Sequence, residues 1–418
     1  MFAVIGSAWA LFLGMGLLMI GNGMQGTLLG IRGDIEGFST FEMSFVMAAY
    51  FAGFLGGSQL APEMIRRVGH VRVFAALASF ISAVLILYPS VTEPWAWIAL
   101  RIIIGFSFSG VYVTAESWLN NATTAENRGQ ALSLYMIVQM GGIVTAQSLV
   151  AAGDPSGFIL FVIPSVLVSL SFAPILLSIS PTPPFDTTKP MSLRRLFHSS
   201  PLGCVGMILN GGMYSAQFGM ASVYGAQAGL SVPEISTFIG AIFLGGLLFQ
   251  YPVGWISDRI DRRVLILGCS VVGTIACLLG VILTPSFTVL TTVGFVAGGM
   301  INPLYSLLIA YTADYLDYED MSAASGGLVF MNGLGAIAGP VIIGGLMTAL
   351  GPSGFWLFLT VLLAALAGYA GYRMTCRAAP AVDETAPYVS FSPSGSSVGV
   401  IAGAEWAEAQ QDEDAEES

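Results

Sequence analysis

The chain has 418 residues, of which 55% are hydrophobic and only 9% are charged. Soluble domains carry about 25% charged residues, so this composition excludes an ordinary soluble fold and predicts a surface that faces lipid. The formal net charge is −11, and two His and four Cys are present. The Cys lie far apart, without a CxxC or Cys/His spacing, so the sequence predicts no metal site, no cofactor and no disulfide framework.

Twelve apolar runs follow one another along the chain, each close to the ~20 residues that cross a bilayer as a helix. The first run lacks a basic leader and is too long for a signal-peptide core, so we interpret it as a retained span. We name the runs spans one to twelve. In chain order they cover residues 7–31, 40–62, 71–90, 95–119, 130–151, 157–180, 201–226, 234–257, 263–284, 287–313, 323–349 and 353–374.

The two sets of six spans repeat three features at nearly equal intervals. An arginine-rich loop follows spans two and eight, a Thr-Ala-acid triplet ends spans four and ten, and a matching glycine lies in spans five and eleven. Such spacing indicates a duplicated unit, and carriers built in this way bind substrate between the repeats near the membrane midplane. The matched features are Arg66-Arg67-Val68-Gly69-His70 with Asp258-Arg259-Ile260-Asp261-Arg262-Arg263, Thr114-Ala115-Glu116 with Thr312-Ala313-Asp314, and Gly141 with Gly335.

These patterns predict an all-α membrane protein with twelve transmembrane helices in two pseudo-symmetric six-helix bundles. Residues 1–180 would form the N-terminal bundle, 181–200 a cytoplasmic linker and 201–375 the C-terminal bundle. Residues 376–418 hold nine of the 25 acids among Ser, Pro, Gly and Ala. That composition is typical of a disordered cytoplasmic tail, which we expect to be dispensable for folding and for transport.

Several motifs resemble those of the major facilitator superfamily. Gly254-x-x-x-Asp258-Arg259-x-Asp261-Arg262-Arg263 resembles its cytoplasmic loop signature, with Asp261 where Gly is usual. The first-half copy departs from the signature, because Pro62 replaces the Gly and Arg66 replaces the Asp. Arg101-x-x-x-Gly105-x-x-x-x-Gly110 resembles the fourth-helix motif of the same superfamily.

Two further stretches narrow the resemblance. Gly335-x-x-x-Gly339-Pro340 resembles the Gly-Pro motif of antiporters, although here it lies in span eleven rather than span five. Ala115-Glu116-Ser117-Trp118 at the end of span four resembles the YcaD-like bacterial branch. The resemblance covers residues 1–375 and leaves out the tail.

The resemblance implies a secondary active transporter of the bacterial inner membrane. It would move a small organic solute by alternating access, coupled to protons, as a monomer in the lipid bilayer without nucleic acid. The alternative is a non-transporting membrane receptor or an assembly factor on the same fold. No GxxxxGK[ST] loop or catalytic triad occurs, so the sequence predicts neither ATP drive nor an enzyme.

Polar side chains within the spans are the candidates for a substrate cavity, which spans one, four, seven and ten line in the superfamily. Arg101 is a base within a span, and such a costly placement usually marks a bundle interior or a wet cavity. The alternatives are snorkelling of Arg101 and interhelical hydrogen bonding of the amides. The candidates are Asn22, Gln25, Arg101, Gln139, Asn210, Tyr214, Gln217, Asn302, Tyr305 and Asn332.

Charged residues at the cytoplasmic ends of the spans are the candidates for an inner gate. Acids contribute little to orientation, so the acids among the second-half arginines favour a latch between the halves over simple topology signals. We expect the first-half arginines to pair with Glu116 and those of the second half with Asp314. Either carboxylate is also a candidate proton carrier. The gate candidates are Arg66, Arg67, Glu116, Asp258, Arg259, Arg262, Arg263 and Asp314.

The distribution of bases predicts the orientation. With the N-terminus in the cytoplasm, 12 of the 14 bases lie in cytoplasmic loops or the tail, as the positive-inside rule requires. Of the other two, Arg101 lies in a span and Arg32 opens an outer loop at residues 32–36, which we interpret as solvated, with an outer gate as the alternative. Both termini would then be cytoplasmic.

Reporter fusions test this orientation. We expect a reporter joined at residue 190 or at the C-terminus to show a cytoplasmic position, measured as alkaline phosphatase inactivity together with green fluorescence. The even number of spans and the charge bias both require this result. An external C-terminus would contradict the span count and the orientation together.

Overall fold

The computed structural model describes residues 2–174, 191–283, 286–316, 318–378, 380 and 385–417. The predicted linker at 181–200 lies outside the described residues up to position 190. From there a short helix, Leu193–Ser199, leads into span seven.

The described residues form helices that follow the predicted spans, and the all-α prediction is confirmed. Ten of these helices are long and apolar enough to cross a membrane, that of span six is shorter, and span seven passes through a π-helical segment. Their bounds are Phe2–Ile35, Thr40–Val68, His70–Leu87, Pro94–Asn121, Ala125–Ala151 and Ile159–Ser171, then Pro201–Ser215 with Ala216–Met220 and Ala221–Gln227, Val232–Ser257, Arg262–Ile282, Phe287–Ala313, Tyr318–Leu350 and Ser353–Cys376.

Matching capping boxes begin spans two and eight. The Ser39 amide donates to the Glu42 carboxylate at 2.8 Å, and the Glu42 amide donates back to the Ser39 hydroxyl at 3.2 Å. Ser231 and Glu234 form the same box at the start of span eight. Each box satisfies amides that the first helical turn leaves without partners. The boxes extend the internal repeat to the geometry of the helix starts.

Glycines let the backbones of neighbouring spans touch. A side chain at Gly105 in span four would overlap the carbonyl oxygen of Tyr50 in span two. Span ten meets span eight in the same way, because a side chain at Gly298 would overlap the carbonyl oxygen of Ile242. Small residues permit such close approach between membrane helices. Each half is therefore built around an equivalent close crossing.

The two halves touch each other at one end, which we call the closed side. There the Ser222 hydroxyl of span seven donates to the carbonyl of Gly26 in span one at 3.3 Å. A side chain at Gly344 in span eleven would overlap Ser44 in span two. At the opposite end, which we call the tail side, residues 385–400 lie between the halves.

The prediction of a disordered tail is wrong for the part that the structure describes. Residues 385–396 form an extended loop, and Ser397–Glu417 form a helix, which we call the tail helix. Phe391, Val400 and Ala402 are buried. Composition alone missed this order because these few apolar side chains are spread among Ser, Gly and acids.

The prediction of a solvated loop at residues 32–36 also needs correction. The helix of span one continues to Ile35, and Arg32 is 9% exposed. Its guanidinium pairs with Glu36 at 2.6 Å and donates to the carbonyl of Pro155 at 3.1 Å. These partners hold Arg32 within the first half and extend the helix by more than a turn.

Substitution of Gly105 tests the close crossing. We expect Gly105→Ala to lower the thermal midpoint of the purified protein, because the added methyl forces the two backbones apart at a cost of about 1–3 kcal/mol. The same change at Gly141 in span five, where a side chain would meet nothing within 4 Å, is the matched control. Gly141→Ala should leave the midpoint unchanged or raise it. Equal effects at both positions would argue against the crossing.

Candidate functional site

A cavity of about 450 Å³ lies between the two halves. We call it the aromatic cavity, because Tyr50, Phe51 and Phe54 of span two and Tyr214 of span seven line it. Asn332 of span eleven adds an amide to the wall. This lining of mostly apolar side chains with a few placed polar groups is typical of small-molecule sites.

A second cavity of about 340 Å³ lies towards the tail side, and we call it the Glu116 cavity. Glu116 and Tyr135 line it from the first half, together with Gln139 of span five. Tyr305 of span ten faces them from the second half. Tail residues contribute to the walls of both cavities, so the tail segment lies between the two spaces.

A hydrogen-bonded row of polar side chains crosses the interior of the first half. Asn22 donates to the Tyr112 hydroxyl at 3.0 Å, and Gln25 donates to Asn22 at 3.0 Å. Arg101 in turn donates to the carbonyl oxygen of the Gln25 side chain. The row links spans one and four and leaves Arg101 at one end.

Arg101 is fully buried beside the aromatic cavity. Its guanidinium lies over the Tyr50 ring, 4.9 Å from the centroid, and contacts the Met47 sulfur at 3.0 Å. Among the described residues no carboxylate lies within ion-pair distance of it, and its Nε has no hydrogen-bond partner. Tyr50 thus separates a buried positive charge from the cavity.

A second polar cluster occupies the second half. The Asn302 amide donates to Gln217 at 3.1 Å and to the Gly298 carbonyl at 3.0 Å. Asn210 is buried, and neither its amide nitrogen nor its oxygen has a hydrogen-bond partner. These groups link spans seven and ten as the first-half row links spans one and four.

The candidates for the substrate cavity therefore separate into two layers. Tyr214 and Asn332 line the aromatic cavity, and Gln139 and Tyr305 line the Glu116 cavity. The other six lie in the wall behind, and these are Asn22, Gln25, Arg101, Asn210, Gln217 and Asn302. The prediction from amides and charges missed the aromatic side chains of span two. The sequence feature that could have indicated them is the aromatic run Tyr50-Phe51-x-x-Phe54.

The second half contains a buried ion pair at the tail side. The Arg262 guanidinium pairs with Asp314, and the two side chains are 2% and 4% exposed. Arg262 also donates to the carbonyl of Ala310 at 3.0 Å. Burial raises the pKa of Asp314 to about 6, although the nearby Arg262 acts in the opposite direction. The expected proximity of Asp314 to the arginine cluster is thus present.

The neighbouring charges contact the second half and the tail. Asp261 accepts from Arg263 at 2.7 Å, and Arg259 lies over the Trp255 ring at 4.0 Å. The Asp258 carboxylate accepts from the backbone amide of tail residue Tyr388 at 2.8 Å. The expected latch to the other half is absent from these contacts, because the tail segment occupies the space between the halves.

Among the described residues, the first half lacks the corresponding ion pair. Arg66 and Arg67 both pair with Glu63 one turn earlier on the same helix, at 2.7 and 2.6 Å, and both are exposed. Glu116 is buried, and its carboxylate accepts instead from tail residues and, at 3.5 Å, from the Tyr135 hydroxyl of span five. The expected pairing of Glu116 with these arginines is therefore wrong, since a nearer carboxylate on their own helix engages them.

Two similar halves of apolar helices, with a cavity between them, define a multi-pass carrier fold. The sequence model of the Major Facilitator Superfamily matches residues 11–228 and 203–387. The chain belongs to this family and is a membrane transporter.

Curated relatives agree with this assignment. An uncharacterized MFS-type transporter of Yersinia enterocolitica is 29% identical over 81% of this chain and 88% of its own length. YcaD of Escherichia coli, also described as an uncharacterized MFS-type transporter, is 28% identical over 78% of this chain and 85% of its own. The resemblance to the YcaD-like branch is therefore confirmed.

Solved structures show the same fold at low identity. The nucleoside transporter NupG, as its D323A mutant, superposes with a TM-score of 0.77 at 14% identity, covering 88% of this chain and 99% of its own. A bacterial homologue of the lysosomal transporter Spinster superposes with a TM-score of 0.69 at 13% identity, covering 98% of each chain.

The raised pKa of Asp314 predicts that the stability of the folded protein depends on pH. Because the folded protein binds this proton more readily than the unfolded chain, the stabilisation is fully present below the ordinary pKa near 4 and is lost as pH rises through about 6. We expect the thermal midpoint of the wild type, minus that of Asp314→Asn, to fall as pH rises from 4 to 7, with most of the change between pH 4 and pH 6. The change corresponds to at most ~3 kcal/mol. A difference that is constant with pH would contradict the assignment.

Proposed function

We propose that this transporter is a secondary active carrier for a small organic solute with an anionic group and an apolar or aromatic body. It moves that solute across the bacterial inner membrane by alternating access, coupled to protons. The observation that carries the proposal is Arg101, a buried guanidinium without a carboxylate partner among the described residues, next to the aromatic cavity.

A cation within a span is expensive, and such residues usually face a bundle interior or a pathway. Gln25, Met47 and Tyr50 offer Arg101 dipoles and a π face but no countercharge. A negatively charged group entering beside Tyr50 would supply that countercharge, and a low-dielectric surrounding would strengthen the attraction.

The aromatic lining of the cavity favours binding of a solute with an apolar or aromatic body. Tyr50 and Tyr214 both pack against Phe218, with ring centroids 5.5 and 5.8 Å apart. Phe51 lies edge-on to Tyr214 at 6.4 Å. Rings that already hold one another in place form a wall suited to a flat apolar body, because aromatic pairs prefer stacked or edge-to-face contact.

The orientation proposed from the bases makes the tail side cytoplasmic. The closed side, where Ser222 contacts Gly26 and Gly344 contacts Ser44, then faces outward. Rocking of one rigid half against the other would open this side and close the tail side. The equivalent close crossings at Gly105 and Gly298 support movement of each half as a unit.

Proton coupling is proposed from two buried carboxylates. Burial raises the pKa of Asp314 to about 6, against the opposing effect of its ion pair with Arg262. Glu116 occupies the equivalent place in the first half and lines a cavity between the halves. A carboxylate that exchanges an ion pair for an apolar surrounding during rocking changes its proton affinity in the direction that coupling requires.

Ligand binding to Arg101 variants tests the proposed substrate class. The purified protein is screened by thermal shift against aromatic carboxylates, each paired with its neutral amide. A ligand at 100 times its Kd stabilises by about 2.7 kcal/mol, which is readily detected. We expect carboxylates to raise the midpoint and their amides to have little effect. Arg101→Lys should keep part of the response, and Arg101→Ala should weaken binding at least tenfold, a loss of about 1.4 kcal/mol.

The control is Arg194→Ala, which removes an exposed base of the short helix before span seven. This variant should respond to ligands as the wild type does, and the midpoints without ligand show whether each variant is folded. Wild-type affinity in folded Arg101→Ala protein would overturn the anion assignment. Flux of a bound ligand into proteoliposomes separates a carrier from a non-transporting receptor or assembly factor, which would bind without flux.

A further inference from the structure

The tail-side opening between the halves is filled by the chain's own residues 385–400. From the second half, the Ser306 hydroxyl accepts from the Phe391 amide at 2.8 Å and donates to its carbonyl at 3.1 Å. Gln250 donates to the Tyr388 hydroxyl at 2.9 Å, and Arg262 donates to the Ala386 carbonyl. Side chains from span eight, from the start of the helix of span nine and from span ten thus hold the backbone and one side chain of the segment.

From the first half, Glu116 holds the start of the tail helix. Its carboxylate accepts from the backbone amides of Ser396 at 2.9 Å and Gly399 at 3.2 Å, and from the Ser396 hydroxyl. Free amides at a helix N-terminus, with the helix dipole, form a favourable place for an anion. A buried carboxylate is costly unless hydrogen bonds satisfy it. The tail helix supplies most of those bonds.

Comparison of the two halves explains why the partner of Glu116 is the tail helix and not an arginine. Asp314 holds the equivalent place in the second half and pairs with Arg262. Aligning the two loops places His70 where the second half has Arg262. The His70 ring lies 2.8 Å from the Ser117 hydroxyl, beside Glu116 in the chain. The tail helix therefore occupies the place that an arginine fills in the other half.

Steric fit also marks these contacts as a built groove. A side chain at Gly399 would overlap the Glu116 carboxylate, and one at Gly254 in span eight would overlap the Tyr388 ring. Gly129, in the helix of span five, leaves room for the Trp406 ring in the same way. Glycines on both surfaces therefore allow the groove and the tail to meet closely.

A salt bridge fixes the next turns of the tail helix to the first half. Arg128, in the helix of span five, pairs with Glu405 at 2.8 Å, and the side chains are 17% and 32% exposed.

We propose that the tail-side opening is a peptide-binding groove whose occupant is the chain's own segment 385–407. The bound segment closes the cytoplasmic path to the cavity, and transport requires its release. The closure rests on the proposed transport function, whereas the groove does not.

The test measures whether the tail is bound in the groove of the full-length protein. Ser394, which is 7% exposed, is changed to Cys in a chain that carries Cys376→Ala. Membranes with the cytoplasmic side accessible are treated with an impermeant maleimide. We expect slow labelling at position 394 when the Arg128–Glu405 salt bridge is intact. After Arg128→Glu or Glu405→Arg, labelling at this position should be at least tenfold faster. The doubly reversed protein should return to slow labelling, because the salt bridge is restored with opposite polarity.

A steric pair gives independent evidence. Gly399→Val should release the tail by overlap with Glu116, and Ala409→Val, further along the same helix, should label slowly. In a separate protein without Ser394→Cys and Cys376→Ala, native Cys376, which is exposed, reports the rate for an open thiol. Wild-type labelling at the rate of Cys376, or no change in the reversed and Gly399→Val proteins, would overturn the groove.

Uptake of the ligand found in the thermal-shift screen tests closure. Faster initial uptake by the released variants is expected, and unchanged uptake with faster labelling would overturn closure while leaving the groove. If no ligand is transported, the proposed function fails, and the labelling rates still decide the groove.

Discussion

The close contact of helix backbones at glycines is the constraint on which the architecture depends. Apolar burial does not drive helix association within lipid, so packing and hydrogen bonds must hold the spans together. Span four presses on span two at Gly105, and span ten presses on span eight at Gly298. Each half is thereby a compact unit, and the space left between the units contains both cavities and the tail segment.

Four buried charged groups of the described residues, Arg262, Asp314, Glu116 and Arg101, meet three different kinds of partner. Arg262 and Asp314 neutralise each other, and further carbonyls complete the arginine. Glu116 is held by backbone amides of the tail helix. Arg101 has neutral partners, so among these groups it is the one whose charge a ligand could still complement. Ligand recognition is therefore proposed at Arg101, and gating at the carboxylates.

The sequence was sufficient for the fold because hydrophobic length and repeated loop motifs are properties of local stretches. Spans, halves and family all follow from such stretches, and the pairing of Asp314 with the arginine cluster follows from the repeat. The site was harder to predict from the sequence. A search for amides and charges placed Arg101 and Gln25 in the cavity, but Tyr50 and Phe51 form its wall. Which side of a helix faces a cavity depends on tertiary packing.

The tail failed to follow from sequence because its order comes from its partner surface. Its acids and small residues suggest disorder, and Phe391 and Val400 are too few to form a core alone. The groove provides what the tail lacks, including the Ser306 hydroxyl for the Phe391 backbone and a carboxylate for the helix start. Conversely, Glu116 without the tail would be a buried anion beside a histidine rather than an arginine. Each surface thus completes the other, so the degenerate first-half motif and the unusual tail are two parts of one arrangement.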